Sequence, residues 1–487
     1  MAKKKTQFPT FNFQLISPCR DLGFFNSQLK ICIYIALISG GISLSSIPAS
    51  ANETFCFRVY LKDKGVEDKI ILSPEGIISE DAFERRTKRS VEINTSDLPI
   101  NPAYITSILS TGGQLVTQSK WMETVVVEST DSLLADKLKT LPIVDSVRCV
   151  WKGSDRLKHN GCPDDKSELS PSEDKKNGDY GYAQEQIEML NGAWLHESGR
   201  KGQDMRIAVI DAGFLNVNRI SAFKNMNLIG THNIVFPGED VFCDDDHGTK
   251  VLSCMAANLP GIMVGTAPEA SYLLIKSEDV RSEFPIEEDY WAAALEYADS
   301  IGVDIVTSSL GYFRFDTEDS VYTTSDLDGR TAFITQIAEK ASEKGMMLFC
   351  SAGNEGNHMW EKITFPGDAP NVLTVGAITN EQQRSSFSST GFTADYRIKP
   401  DVVALGTGVC VINGTGNIQY TNGTSFSTPI VAGLGACLWQ GLTWLTNKEL
   451  IQLIRQTASQ ANQPDVEKGY GIPDMQKAYR KEMNAPI

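Results

Sequence analysis

Beyond Tyr182 the chain alternates short apolar runs with helical periods, and this alternation limits its folds more than any other feature. Arg206–Ile210 (R-I-A-V-I), Ser271–Ile275, Asp304–Ser308, Met346–Ser351 and Val372–Ala377 read as strands, and Gly248–Asn258, Ile286–Ile301 and Ala332–Lys344 as helices. Strands that are apolar on both faces and separated by helices require a parallel sheet covered on both sides. The expectation is α/β: a doubly wound parallel sheet, with functional residues where its strands end.

A smaller unit precedes it, from Asn52 to about Lys152. Thr54–Leu61, Gln114–Gln118, Thr124–Glu128 and Val144–Val150 read as strands, Pro102–Leu109 and Ser132–Leu141 as helices. The order is βαββαβ, a ferredoxin-like α+β domain, with an insertion at Lys62–Pro99. First and last strands are then neighbours, so Cys56 and Cys149 can face each other; a disulfide and two small buried apolar side chains are both open readings. From Gly153 to Gly181 Asp, Lys, Ser, Glu, Pro and Gly dominate, the composition of a solvated, protease-accessible linker.

The chain's 487 residues, 41% hydrophobic and 22% charged, suit a soluble globular protein of two or three domains. A net charge of −16 argues against nucleic acid as a partner, because binding a phosphate backbone takes clustered Lys and Arg. Lys30, the apolar run Ile31–Leu44 and S-S-I-P-A-S-A at Ser45–Ala51 have the layout of a signal peptide cut after Ala51, with an unusually long leader. No later stretch reaches the ~20 apolar residues of a membrane-spanning helix. Ten cysteines without a C-x-x-C pair make a thiolate zinc site a poor reading.

Three strand ends carry chemistry-bearing residues. R-I-A-V-I closes on Asp211-Ala212-Gly213; D-D-D-H-G-T-K-V places His247 at the start of a helix; M-M-L-F-C-S-A-G-N closes on Asn354. A fourth feature, G-T-S-F-S-T-P at Gly423–Pro429, sets Ser425 in a turn feeding an apolar helix, with Pro429 expected inside the first helical turn. Alone, the aspartate is a cap, the histidine structural and the asparagine a turn former. Together they supply a nucleophile, a base, an orienting carboxylate and an uncharged hydrogen-bond donor.

In this order the sequence resembles the subtilisin-like serine peptidases. The resemblance is carried by I-A-V-I-D-A-G (Ile207–Gly213), H-G-T-K-V (His247–Val251), S-S-L-G (Ser308–Gly311), S-A-G-N-E-G (Ser351–Gly356), S-S-F-S-S-T-G (Ser385–Gly391), I-K-P-D-V (Ile398–Val402) and G-T-S-F-S-T-P, across about residues 185–480. It implies a secreted serine endopeptidase in which Ser425 attacks the peptide carbonyl, His247 moves its proton, Asp211 fixes the imidazole, and Asn354 with the Ser425 N–H holds the oxyanion. It also implies backbone pairing of an extended substrate with Ser309, Leu310 and Gly311, and with Ser351, Ala352 and Gly353 opposite.

The small N-terminal domain resembles the inhibitory propeptides of that family. The implied layout is a leader over 1–51, a propeptide over 52–152, a linker with an autoprocessing site over 153–184 and a catalytic domain over 185–482. The chain's own propeptide is then an intramolecular inhibitor, and polypeptides are the substrates. The main competing reading is a catalytically inactive binding module; an esterase lacks its G-x-S-x-G elbow here.

Departures from the pattern bear on specificity and thiol sensitivity. Ala212 takes the place of a hydroxyl residue, Lys250 that of a second histidine, Ser253-Cys254 that of Gly-Thr and Phe426-Ser427 that of Met-Ala. Cys254 lies about two turns after His247 on one helix face, within reach of a mercurial unless it is buried. Asp244–Asp246 are consecutive and point different ways, so they read as solvated charge and not as a metal site. No cofactor is required, no metal ligand is assigned, and calcium enters only as a structural ion of the kind relatives often bind.

Overall fold

The structure, a computed structural model, describes residues 53–66, 77–154, 156, 167–317 and 322–484. The leader and the centre of the expected processing segment lie outside the described residues. Among the described residues no helix is long and apolar enough to cross a membrane.

The N-terminal unit runs β1 (Thr54–Leu61), α1 (Glu80–Lys88), α2 (Pro102–Leu109), β2 (Gln114–Ser119), β3 (Thr124–Ser129), α3 (Leu134–Lys139) and β4 (Val144–Gly153). Its four strands form an antiparallel sheet in the order β2-β3-β1-β4, with the first and last strands adjacent. Cys56 and Cys149 nevertheless remain free thiols. A register shift between Cys56 and Phe57 sets Cys149 opposite Phe57 and Cys56 opposite Trp151. One residue of offset sends the two side chains to opposite faces, so Cys56 is buried and Cys149 exposed.

The insertion contains a helix that apolar periodicity does not reveal. Buried charge anchors α1: Arg85 and Arg86 both pair with Asp299, Arg86 also pairs with Asp97 at 2.9 Å, and Arg89 donates to the Thr443 carbonyl at 2.7 Å.

After the short helices α4 (Gln184–Glu188) and α5 (Gly192–Glu197) come β5 (Arg206–Asp211), β6 (Asn227–Asn233), α6 (His247–Ala256), the hairpin β7 (Asn258–Leu259) and β8 (Met263–Val264), and β9 (Ser271–Lys276). The chain continues through α7 (Ile286–Ser300), β10 (Ile305–Ser308), α8 (Phe333–Glu343), β11 (Met347–Ser351), β12 (Leu373–Ile378) and β13 (Val402–Leu405). It ends with the hairpin β14 (Val409–Ile412) and β15 (Ile418–Thr421), then α9 (Thr424–Gly441), α10 (Asn447–Thr457) and α11 (Met475–Met483).

Seven of these strands form the expected parallel sheet, in the order β13-β12-β11-β10-β5-β9-β6. Central strands are buried throughout, and separate apolar clusters cover the two faces, one built on α6 and α9 and the other on α7 and α8. Strand order reverses at β5, with β9 on one side and β10 on the other. The crevice at the carboxyl ends of β5, β10 and β11 is where such a sheet binds ligands.

Part of the expected linker is held against this domain. Leu169 donates its N–H to the Arg219 carbonyl (2.9 Å) and Lys176 to that of Gly261 (2.8 Å). Backbone pairing needs no apolar side chain, which is why composition alone reads the segment as solvated.

Candidate active site

Asp211 ends β5 at the centre of the sheet and is fully buried. Its Oδ1 accepts from His247 Nδ1 at 2.7 Å and from the Ala212 N–H at 2.8 Å. Its Oδ2 is buried with no hydrogen-bond partner among the described residues, the consequence of an alanine where a hydroxyl would stand.

His247 opens α6, and the residue after it explains how the helix comes so near. A Cβ at Gly248 would lie 2.4 Å from the Gly213 carbonyl oxygen and 3.0 Å from Asp211 Cβ, so only glycine permits the approach. The imidazole side chain is 31% exposed and tilts against the Phe426 ring, centroids 5.7 Å apart. Burial works to lower its pKa, but the charge and hydrogen bond of Asp211 outweigh it and leave the pKa raised.

The preceding acidic run is paired, not merely solvated. Asp244 pairs with buried Lys276 and Asp246 with Lys250 at 2.7 Å, while Asp245 accepts the His247 N–H at 2.6 Å. Three consecutive carboxylates therefore serve three different partners.

Ser425 is the second residue of α9, reached through Gly423 at φ +151°, a conformation that side-chain-bearing residues rarely adopt. Its Oγ donates to the Ser309 carbonyl at 3.3 Å, and no hydrogen bond joins it to His247, though both line one cleft. The Ser425 carbonyl accepts from Ser309 Oγ at 2.8 Å. Pro429 makes that bond necessary. It sits in the second turn, four residues after Ser425, and not in the first turn as the sequence suggested, so the helical donor to that carbonyl is missing.

Asn354 follows β11, exposed at the cleft. Its Oδ1 accepts from both the N–H (2.9 Å) and the hydroxyl (3.0 Å) of Thr424. Two donors on one oxygen fix the amide orientation and leave Nδ2 as a donor without a protein partner among the described residues. That donor and the Ser425 N–H at the start of α9 belong to neighbouring residues of one corner, with the positive end of the helix dipole behind them.

The cleft encloses about 620 Å³. Ser309, Leu310, Gly311, Ser351 and Gly353 line it; Ala352 does not. Ala352 is fully buried, its N–H given to the Val375 carbonyl and its carbonyl taken by the Thr364 N–H, so the backbone expected to face a substrate there is used inside the fold. Ser351 Oγ donates to the Leu310 carbonyl at 3.2 Å and ties the two walls together.

Residues 202–472, more than half of the 487-residue chain, match the Subtilase family of peptidase S8. The chain belongs to the subtilase family. Residues 56–164 of this subtilase match the peptidase S8 propeptide domain of Bacteroidota, which covers the N-terminal sheet.

Among curated proteins it is similar to subtilisin E of Bacillus subtilis, 29% identical over 277 residues, which is 56% of this chain and 65% of that relative. Subtilisin of Bacillus pumilus is 28% identical over 277 residues (56% of this chain, 90% of the relative), and subtilisin BL of Lederbergia lenta 27% over 297 residues (60% and 97%). The match to subtilisin E thus spans just under two thirds of that relative's length.

The structure adds participants that motif reading does not supply. Thr424 orients Asn354, Ser309 restrains the Ser425 carbonyl, and Glu278, Glu283 and Glu287 bring carboxylate oxygens within 4.8 Å of one another at the cleft. Glu278 and Glu283 lie between β9 and α7 and Glu287 in the first turn of α7, a place beyond a strand end that could have singled them out.

Proposed function

We propose that this subtilase is a secreted serine endopeptidase made as a self-processing zymogen. The observation that carries the reading is the meeting of His247, Asn354 and Ser425 at one cleft, with His247 held from behind by buried Asp211 and the Asn354 amide oriented by Thr424. Ser425 Oγ, swung from the Ser309 carbonyl toward His247, attacks the substrate carbonyl and gives its proton to His247. His247 passes that proton to the departing amine, leaving an ester on Ser425 that water then hydrolyses by the same proton route. Asp211 stabilises the imidazolium, while Asn354 Nδ2 and the Ser425 N–H bind the oxyanion.

Substrate is read as an extended strand along Ser309–Gly311, rimmed by Ser351 and Gly353. Residues 1–51 act as leader, 52–152 as an inhibitory propeptide, 153–184 as the linker cut by the enzyme itself and 185–482 as the catalytic domain. No cofactor enters this chemistry, and any calcium is structural.

The test is expression of the chain from Asn52, reaction with a fluorophosphonate and N-terminal sequencing of the product. Labelling at Ser425 and a new N-terminus within 152–182 are expected, with Ser425→Ala accumulating uncleaved. An unlabelled, uncut protein would turn the reading into that of an inactive binding module.

A further inference from the structure

The active-site cleft has a second chemical feature that peptide-bond hydrolysis does not use. Glu278, Glu283 and Glu287 line the cleft that holds Ser425 and His247, and their carboxylate oxygens lie within 4.8 Å of one another. Glu287 is 2% exposed and its Oε2 has no hydrogen-bond partner among the described residues. No lysine, arginine or histidine pairs with any of the three among the described residues. Arg281, the cation lining the same cleft, is committed to Asp279 at 2.7 Å and to the Arg156 carbonyl at 2.5 Å.

Three carboxyl groups held together and largely buried must either keep their protons or take up a positive charge before they ionise. Burial pushes all three pKa values up, reinforced for Glu278 by Glu283, for Glu283 by Asp316 and for Glu287 by Glu278. A cationic occupant supplies that charge.

We infer that Glu278, Glu283 and Glu287 form a subsite for a basic side chain, arginine or lysine, of the peptide being cut; this rests on the endopeptidase reading above. A peptide is the occupant that the endopeptidase reading itself brings to this cleft. Glu278 Oε1 already accepts from Ser277 Oγ at 3.1 Å and from the Tyr312 hydroxyl, and Glu287 Oε1 from the Asp279 N–H at 3.0 Å. The oxygens left over, Glu287 Oε2 among them, match the donors of one basic side chain. A peptide also reaches this place: the Arg281 bond to the Arg156 carbonyl puts the strand leaving the propeptide domain against the cleft wall, while Arg156's own guanidinium is held by Glu128 at 2.5 Å.

The test uses the processed enzyme and fluorogenic peptides that differ at one acyl-side position at a time, carrying arginine, lysine, citrulline or norleucine. At one position, arginine or lysine should exceed the uncharged analogues in kcat/KM by about tenfold or more, the weight of a charge-assisted hydrogen bond. Glu287→Gln, and the half-buried Glu283→Gln where the first fails to fold, should reduce that ratio toward one.

Fluorophosphonate labelling with equal rates for charged and uncharged peptides overturns the inference and leaves the endopeptidase reading standing. So does a calcium-dependent rise in melting temperature that a chelator reverses, without any charge preference. If Ser425 does not label, the peptidase reading fails, and fluorescence anisotropy of the arginine and citrulline peptides on Ser425→Ala protein decides the subsite: tighter binding of arginine supports it, equal binding overturns it.

Discussion

His247 is tied to Asp211 through a single carboxylate oxygen, at 2.7 Å, while the other oxygen of that buried aspartate has no partner among the described residues. The charge of Asp211 is what keeps the imidazole pKa above its ordinary value despite burial. Asp211→Asn should lower kcat by about 10⁴, as loss of the triad carboxylate does in serine proteases. A base works only when neutral, so activity is present above the His247 pKa and is lost as pH falls through it. With Asp211 in place that limb lies above the ordinary histidine value of about 6.5; in Asp211→Asn it should move to lower pH. A kcat/KM profile whose acid limb does not move would contradict the pairing.

Asn354 differs in kind, because Thr424 orients its amide through Oδ1 and Nδ2 has no hydrogen-bond partner among the described residues. Asn354→Ala should lower kcat by about 10²–10³ with little change in KM, since the lost bond forms mainly in the transition state. Thr424→Val should do less in the same direction by freeing the amide to turn. Steady-state kinetics on one substrate separate the two effects.

The centre of the sheet and the strand-end and helix-start places of Asp211, His247, Asn354 and Ser425 are legible because they depend on local pattern. Apolar runs in β5, β9, β10, β11 and β12 can only be buried strands, and small-residue motifs mark the turns at their ends. The edge strand β6 was not legible: it reads N-L-I-G-T-H-N, is mostly exposed or half-buried and slips register between Leu228 and Gly230. Helix α1 leaves no apolar period because its buried face carries Arg85 and Arg86 in place of aliphatic residues. Ala352 and the three cleft glutamates show the same boundary within the site. Which of them faces the cleft depends on partners distant in sequence, Val375 for Ala352 and Tyr312 for Glu278.

Cys254 tests burial against proximity. It shares α6 with His247, yet it is fully buried, its thiol is directed at the Lys250 carbonyl (3.6 Å), and burial raises its pKa. A thiol held neutral and out of solvent is a poor nucleophile. Iodoacetamide or a mercurial applied to the folded enzyme should leave peptidase activity intact, and mass mapping should find Cys254 unmodified until denaturant is added.

A buried arginine ties the propeptide sheet to the subtilase domain. Arg58 on β1 is fully buried, gives Nε to both oxygens of Asp289 (2.8 and 2.9 Å), and gives Nη2 to Asp289 (2.6 Å), Glu288 (3.3 Å) and the Pro285 carbonyl (2.9 Å). Its guanidinium also lies 3.7 Å from the centroid of the Phe333 ring. Arg58→Met keeps much of the side-chain bulk but leaves two buried carboxylates without their cation, a loss of about 3–5 kcal/mol when one partner of such a pair is removed. In the uncleaved Ser425→Ala protein the variant should melt at lower temperature. With Ser425 intact, peptidase activity should appear sooner after processing, because the released propeptide holds the catalytic domain less tightly. An unchanged melting temperature and an unchanged lag would show that apolar contact, not this ion pair, holds the two units together.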